Sequence, residues 1–175
     1  MDASLPLLTD LQRRSAHSVL VVDDNPASKY AMARTLRASG FQTVEAGGGA
    51  EALELSEFVS AVVIDVNLPD LNGFEVCRML RARASTALLP VIHVSARPGA
   101  EIATHAAEAG SDQFLRSPVD GVVLTRILDE LLALQARRSL QDIGSLDAGE
   151  RSGLGAQGVL DQMTRREKAS PARRL

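Results

Sequence analysis

Five short apolar runs mark the chain between residues 19 and 134, and each is followed by apolar positions at helical spacing. VLVVD (19–23) is apolar at four consecutive positions. Such a run predicts a strand covered on both faces, because a half-exposed strand would alternate. Asn25-Pro26 then supplies a capping side chain and a proline suited to the first helical position. The predicted helix runs to about Ser39, where Gly40 is a natural stop. FQTVEA (41–46) is more polar and predicts a second strand nearer the sheet edge. Gly47, Gly48 and Gly49 predict a loop, and AEALELSEF begins a second helix. AVVID (61–65) predicts the third strand. NLPDLNG (67–73) is dense in turn formers, with Asn72 as cap of a third helix that buries Val76, Cys77 and Leu80. PVIHVSA (90–96) predicts a fourth strand, and a small-residue helix around Ile102, Ala103 and Ala106 ends near Gly110. FLR (114–116) predicts a short fifth strand. Leu124, Ile127, Leu128 and Leu131 fall at i, i+3, i+4 and i+7, one stripe of a final helix.

Strands alternating with helices predict a parallel sheet with helices on both faces, a doubly wound α/β fold. Folds of this class bind ligands at the carboxyl ends of their strands. Those ends carry Asp23 and Asp24, Asp65, Ser95, and Ser117-Pro118. Three carboxylates on one edge repel one another unless a cation neutralises them. Hard oxygen donors favour Mg²⁺, which needs only one or two carboxylates plus water and phosphate. A carboxylate beside such an ion is suited to attack phosphorus. A hydroxyl at Ser95 is placed to donate to the transferred group. Each element alone has a structural explanation: the aspartates as helix-dipole partners, Ser95 as a loop cap. Their conjunction across four strand ends is what points to chemistry.

Charge and composition sharpen the boundaries. The 175 residues carry a net charge of −3, with 19 basic and 22 acidic side chains and 3% aromatics. Residues 19–134 hold 9 basic against 15 acidic side chains, a net of −6, whereas residues 135–175 net +3. A near-neutral chain so poor in aromatics is not expected to bind nucleic acid. The chain divides into an N-terminal extension (1–18), a globular domain (19–136) and a basic tail (137–175). The tail's Gly, Ser, Ala and charged composition predicts disorder. Within the tail, Leu154–Met163 has the apolar residues for a short helix formed on a partner. Cys77, the single cysteine, has no partner for an intramolecular disulfide. No apolar run reaches the roughly 18 residues of a membrane span. Asp2 and Asp10 do not suit a signal peptide, so a cytoplasmic protein is expected.

VLVVDDN, VVIDVNLPDLNGFEVCRMLR, PVIHVSA and AGSDQFLRSPV, in that order and spacing, resemble the receiver domain of bacterial response regulators. The resemblance covers about residues 19–134 and implies a five-stranded sheet of flavodoxin-like order 2-1-3-4-5. It implies Asp65 as phosphoacceptor, and Asp23, Asp24, Asp65 and the backbone carbonyl of Asn67 as ligands of Mg²⁺. Ser95 then matches the hydroxyl that senses the phosphoryl group, and Phe114 the aromatic that moves with it. Ser117-Pro118 matches a cis peptide. A sensor histidine kinase or phosphotransfer protein is the implied phosphodonor, with self-phosphorylation and autodephosphorylation as the only enzyme-like activities.

One position departs from that pattern. The family places a lysine before the cis proline, where Ser117 stands here, and the chain's only lysines are Lys29 and Lys168. Arg116 should point away from the site by strand alternation. Arg97, two residues past Ser95, is the candidate substitute. The leading expectation is a stand-alone receiver that relays phosphate or docks a downstream protein through its last two helices and fifth strand, as a monomer or homodimer. A degenerate receiver, binding partners without phosphate, is the alternative. A Mg²⁺-dependent phosphatase of haloacid dehalogenase type is less well matched, because DVNLP lacks the second aspartate of DxDxT.

Overall fold

The computed structural model describes residues 4–97 and 99–153. Its centre is a parallel sheet of β1 (Ser18–Val22), β2 (Gln42–Ala46), β3 (Ala61–Asp65), β4 (Val91–Ser95) and β5 (Gln113–Arg116). The spatial order is β2-β1-β3-β4-β5, so β3 is central, with β1 on one side and β4 on the other. The helices are α1 (Ser4–Ser15), α2 (Pro26–Ala38), α3 (Gly49–Leu55), α4 (Gly73–Ala82), α5 (Ala100–Glu108) and α6 (Gly121–Gly153), with a single 3-10 turn at Ser56–Phe58. The sheet, α1 to α5 and the first part of α6 fall in a unit that ends at Gln135; a second unit begins at Ala136.

Apolar runs on the central strands bury both faces. Leu20, Val22, Val62 and Ile64 meet Leu53 of α3, with Phe74, Val76, Cys77 and Leu80 of α4 and Ala106 of α5. Val19, Val21, Val63, Ile92 and Val94 face the other way, against Ala33 and Leu36 of α2 and Leu124, Leu128 and Leu132 of α6. Neighbouring residues of one strand thus serve opposite cores, as the side-chain alternation of a strand requires.

Local signals explain the boundaries. The Asn25 side chain accepts from the N–H groups of Ala27 and Ser28, at 3.0 and 3.1 Å, with Pro26 at the first helical position. Gly40, with φ of 98°, turns the chain out of α2, a conformation open to glycine. Asn72 and Glu75 form a reciprocal capping box at the start of α4.

Both ends hold more helix than composition predicts. Composition marks residues 1–18 as an N-terminal extension, and α1 forms within it. Its Arg14 binds the Asp129 carboxylate of α6 through Nε and Nη2, at 3.0 and 2.6 Å, and donates to the Ser39 carbonyl. A sequence window of helical length shows neither partner. At the other end, α6 continues past residue 136 to Gly153. No glycine or proline interrupts residues 122–143, and the intervening Leu, Ala, Gln and Arg are strong helix formers. The Leu154–Met163 segment lies outside the described residues.

Candidate metal and phosphoryl site

The acids collect at one end of the two central strands. Val22 pairs with Ile64, so β1 and β3 finish level. Asp23 and Asp24 leave β1 while Asp65 is the last residue of β3. Carboxylate oxygens from all three lie within 4.8 Å of one another. Asp23 and Asp65 are half-buried and Asp24 is exposed. Backbone amides hold them in place: the Asn25 N–H donates to Asp23 Oδ1 at 2.8 Å, and the Asn67 N–H to Asp65 Oδ2 at 3.1 Å.

Burial raises the pKa of Asp65 above the ordinary carboxylate value, and the neighbouring charge of Asp23 raises it further; the Asn67 and Val66 amides oppose both. This repulsion is what a divalent cation relieves. An all-oxygen donor set with a partly open side suits Mg²⁺. The residues present therefore fit that ion on their own chemistry.

The surrounding strand ends converge on the acids. Asp65 pairs with Val94, which sets Ser95 one residue beyond it on β4. Ser95 is buried, and its Oγ accepts from the Arg97 N–H at 3.2 Å. The Ser117 N–H donates to the Ser95 carbonyl at 2.9 Å, and the Ser117–Pro118 peptide is cis. Phe114 pairs with His93 across β4 and β5 and is half-buried against the core that includes α4 and α5. Asn67 opens the β3–α4 loop. Arg97 is exposed, and the hydrogen bond described for it comes from its backbone rather than its guanidinium. Arg116 is exposed as well. Ser117 lines a cavity of about 320 Å³ with Ser28, Met32, Thr35, Pro118 and Leu124.

Two contacts near the site are not readable as motifs. A Cβ at Gly73 would stand 2.4 Å from the Asp65 carbonyl oxygen, so α4 begins against the backbone that carries this acid. Asp70, at the tip of the β3–α4 loop, accepts from the N–H groups of Gly49 and Ala50, both at 2.8 Å. In the sequence it is one turn former among several in NLPDLNG, and its partners stand some twenty residues earlier.

Comparison with known proteins decides the family. The response regulator receiver domain matches residues 19–129. This chain belongs to that family. Among curated relatives, the response regulator MprA of Mycolicibacterium vanbaalenii is 36% identical over 150 residues, covering 84% of this chain and 61% of that protein. A cyclic di-GMP phosphodiesterase of Thermotoga maritima is 38% identical over 103 residues, covering 59% of this chain and 27% of that protein. This receiver thus spans less than two thirds of the length of either. Among solved structures, the receiver domain of a Pseudomonas aeruginosa sensor histidine kinase, with magnesium coordinated in its active-site cleft, aligns with a TM-score of 0.63. It is 26% identical, over 67% of this chain and 98% of that one. A DrrB receiver activated with BeF3 aligns with a TM-score of 0.60 at 27% identity, over 67% of this chain and 97% of that one. No described helix of this receiver is long and apolar enough to cross a membrane.

Proposed function

We propose that this receiver accepts a phosphoryl group on Asp65 from a histidine kinase or phosphotransfer protein, and signals by docking another protein. The observation that carries this reading is the convergence of Asp23, Asp24 and Asp65 within 4.8 Å at the ends of the central strands. Asp23, Asp24, Asp65 and the Asn67 carbonyl are the groups that would hold Mg²⁺. When bound, the ion neutralises charge on the incoming phosphoryl group and on the acids that face it.

The chain's own residues supply the rest. The Asn67 amide holds Asp65 Oδ2, leaving Oδ1 to attack phosphorus. The new bond is Oδ1–P; the bond broken joins phosphorus to the donor's imidazole nitrogen, which keeps the electron pair and takes up a proton. Ser95 Oγ accepts from the Arg97 amide, so its own proton is available to the phosphoryl oxygens. Phe114, half-buried two positions before Arg116, is the side chain that responds when Ser95 moves.

A second reading, a phosphate-independent binding module, is favoured by Ser117, an uncharged residue directly before the cis proline, where the family's pattern has a lysine. The two are separated by incubation with Mg²⁺ and acetyl phosphate, followed by intact-mass measurement. The expected result is one phosphate on the wild type and none on Asp65→Asn. A wild type that stays unmodified and shows no NMR response to beryllofluoride would establish the second reading. Ser117→Lys introduces a cation at that position and is expected to enlarge the beryllofluoride-induced shifts on β5 and α6.

A further inference from the structure

α3 begins without a cap of its own. Its N-cap is Gly48, which has no side chain to accept the exposed amides, and no side-chain capping bond comes from that residue. Those amides are orphans of any helix start and must find acceptors. The acceptor here comes from another segment: Asp70 Oδ1 takes the Gly49 N–H and Oδ2 the Ala50 N–H, both at 2.8 Å. The glycines make room for it. A Cβ on Gly48 would lie 3.0 Å from both Asp70 carboxylate oxygens, and one on Gly49 would lie 2.8 Å from Leu71 Cβ and 2.7 Å from Val76 Cγ2. Gly48 and Gly49 therefore form a socket shaped to the tip of the β3–α4 loop.

That loop carries Asn67. Its two ends are fixed by the Val66 N–H on the Val94 carbonyl, at 3.1 Å, and the Gly73 N–H on the Val66 carbonyl, at 2.9 Å. Between them, Asp70 ties the tip to α3. We infer that Asp70 is a positioning residue for the phosphoryl site: by docking into the α3 socket it holds the Asn67 carbonyl where a metal ion meets the three acids. This inference rests on the metal-dependent reading above. The four nearby backbone amides also hold the Asp70 carboxyl down at about 2, so it stays ionised throughout the neutral range.

The test compares Mg²⁺ affinity by NMR titration, amide mobility of residues 67–71 without metal, and thermal stability. Asp70→Ala is expected to loosen the loop and weaken Mg²⁺ binding roughly tenfold, the low end for outer-shell partners. Acetyl phosphate labelling should then need more Mg²⁺ but reach the wild-type maximum. Asp70→Asn, which keeps one acceptor oxygen, is expected to fall between the two. Gly48→Ala, which crowds the socket from the opposite side, should repeat the Asp70→Ala pattern. An Asp70→Ala protein of lower melting temperature but wild-type Mg²⁺ affinity would reduce Asp70 to a helix cap and overturn the inference. A wild type that binds no Mg²⁺ overturns the metal-dependent reading instead, before any variant is compared.

Discussion

His93 shows how much a single buried residue can say about protonation. Its Nδ1 lies 2.8 Å from Ser111 Oγ, and that hydroxyl also faces the carbonyls of Gln113, at 2.7 Å, and Val91, at 3.2 Å. A hydroxyl has one proton, and the shorter carbonyl contact claims it, so Nδ1 must be the donor to Oγ. The other nitrogen, Nε2, is buried with no hydrogen-bond partner, beside the Phe74 ring. Burial lowers the His93 pKa from its ordinary value near 6.5, with the Gly73 backbone partly opposing. A lowered value means that the unfolded chain takes up a proton below about pH 6.5 while the folded chain does not. Stability is therefore lost as pH falls through that range, by at most about 1.4 kcal/mol per pH unit. His93→Met removes this term. Urea denaturation at pH 7 and pH 5 should show the variant gaining stability relative to wild type at the lower pH. A constant difference between the two proteins would mean that His93 titrates normally. Cys77 behaves in the same spirit: burial pushes its thiol up to about 11, which makes it a packing residue rather than a reactive one.

At the scale of elements, the sequence announces helices and strands more clearly than what pins them. Asn25, Pro26, Gly40, Asn72 and Gly110 act where turn and cap chemistry puts them, because such signals are local. Arg81 is different. From the last turn of α4 it donates to the carbonyls of Gly110, Ala87 and Leu89, at 2.8, 3.2 and 2.7 Å, and to Asp112 Oδ2 at 2.8 Å. Asp112 Oδ2 also accepts from the Val91 N–H, the first residue of β4, at 2.8 Å. One guanidinium thus ties α4, the approach to β4 and the turn into β5 together. Along the chain it is one charge on a polar helix face, because its partners lie six to thirty-one residues away. Arg81→Met keeps much of the apolar stem but leaves the carbonyls and Asp112 without their donor. It is expected to cost about 2–3 kcal/mol in urea unfolding, the range for lost charged hydrogen bonds. A loss below about 0.5 kcal/mol would show that water replaces the guanidinium without penalty. Arg14 on α1 and Asp70 on the β3–α4 loop escaped a linear reading for the same reason.

For the whole molecule, the parallel doubly wound sheet was legible from the alternation of strands and helices, and the meeting of Asp23, Asp24 and Asp65 from the residues at strand ends, whereas the order β2-β1-β3-β4-β5 was legible only through the family resemblance. The length of α6 was not legible, since the helix formers that run to Ile143 give way to a Gly- and Ser-containing stretch over residues 144–153 that α6 nevertheless spans. The −6 charge of residues 19–134 also takes on a definite shape, with part of it concentrated where three carboxylates meet. The strand order further sorts the site by local stability. Asp23, Asp24 and Asp65 hang from β1 and β3, interior strands buried along most of their length, whereas Ser117 follows β5, a four-residue edge strand with exposed ends. Amides open to solvent exchange according to the free energy of the smallest unfolding event that frees them. Hydrogen exchange should therefore be slower in the interior strands β1, β3 and β4 than in β5; equal rates would mean that the sheet opens only as a unit. A receiver arranged in this way keeps its three clustered carboxylates on strands that open later than β5. Its Ser117 edge can loosen and re-form many times within the lifetime of one folded molecule.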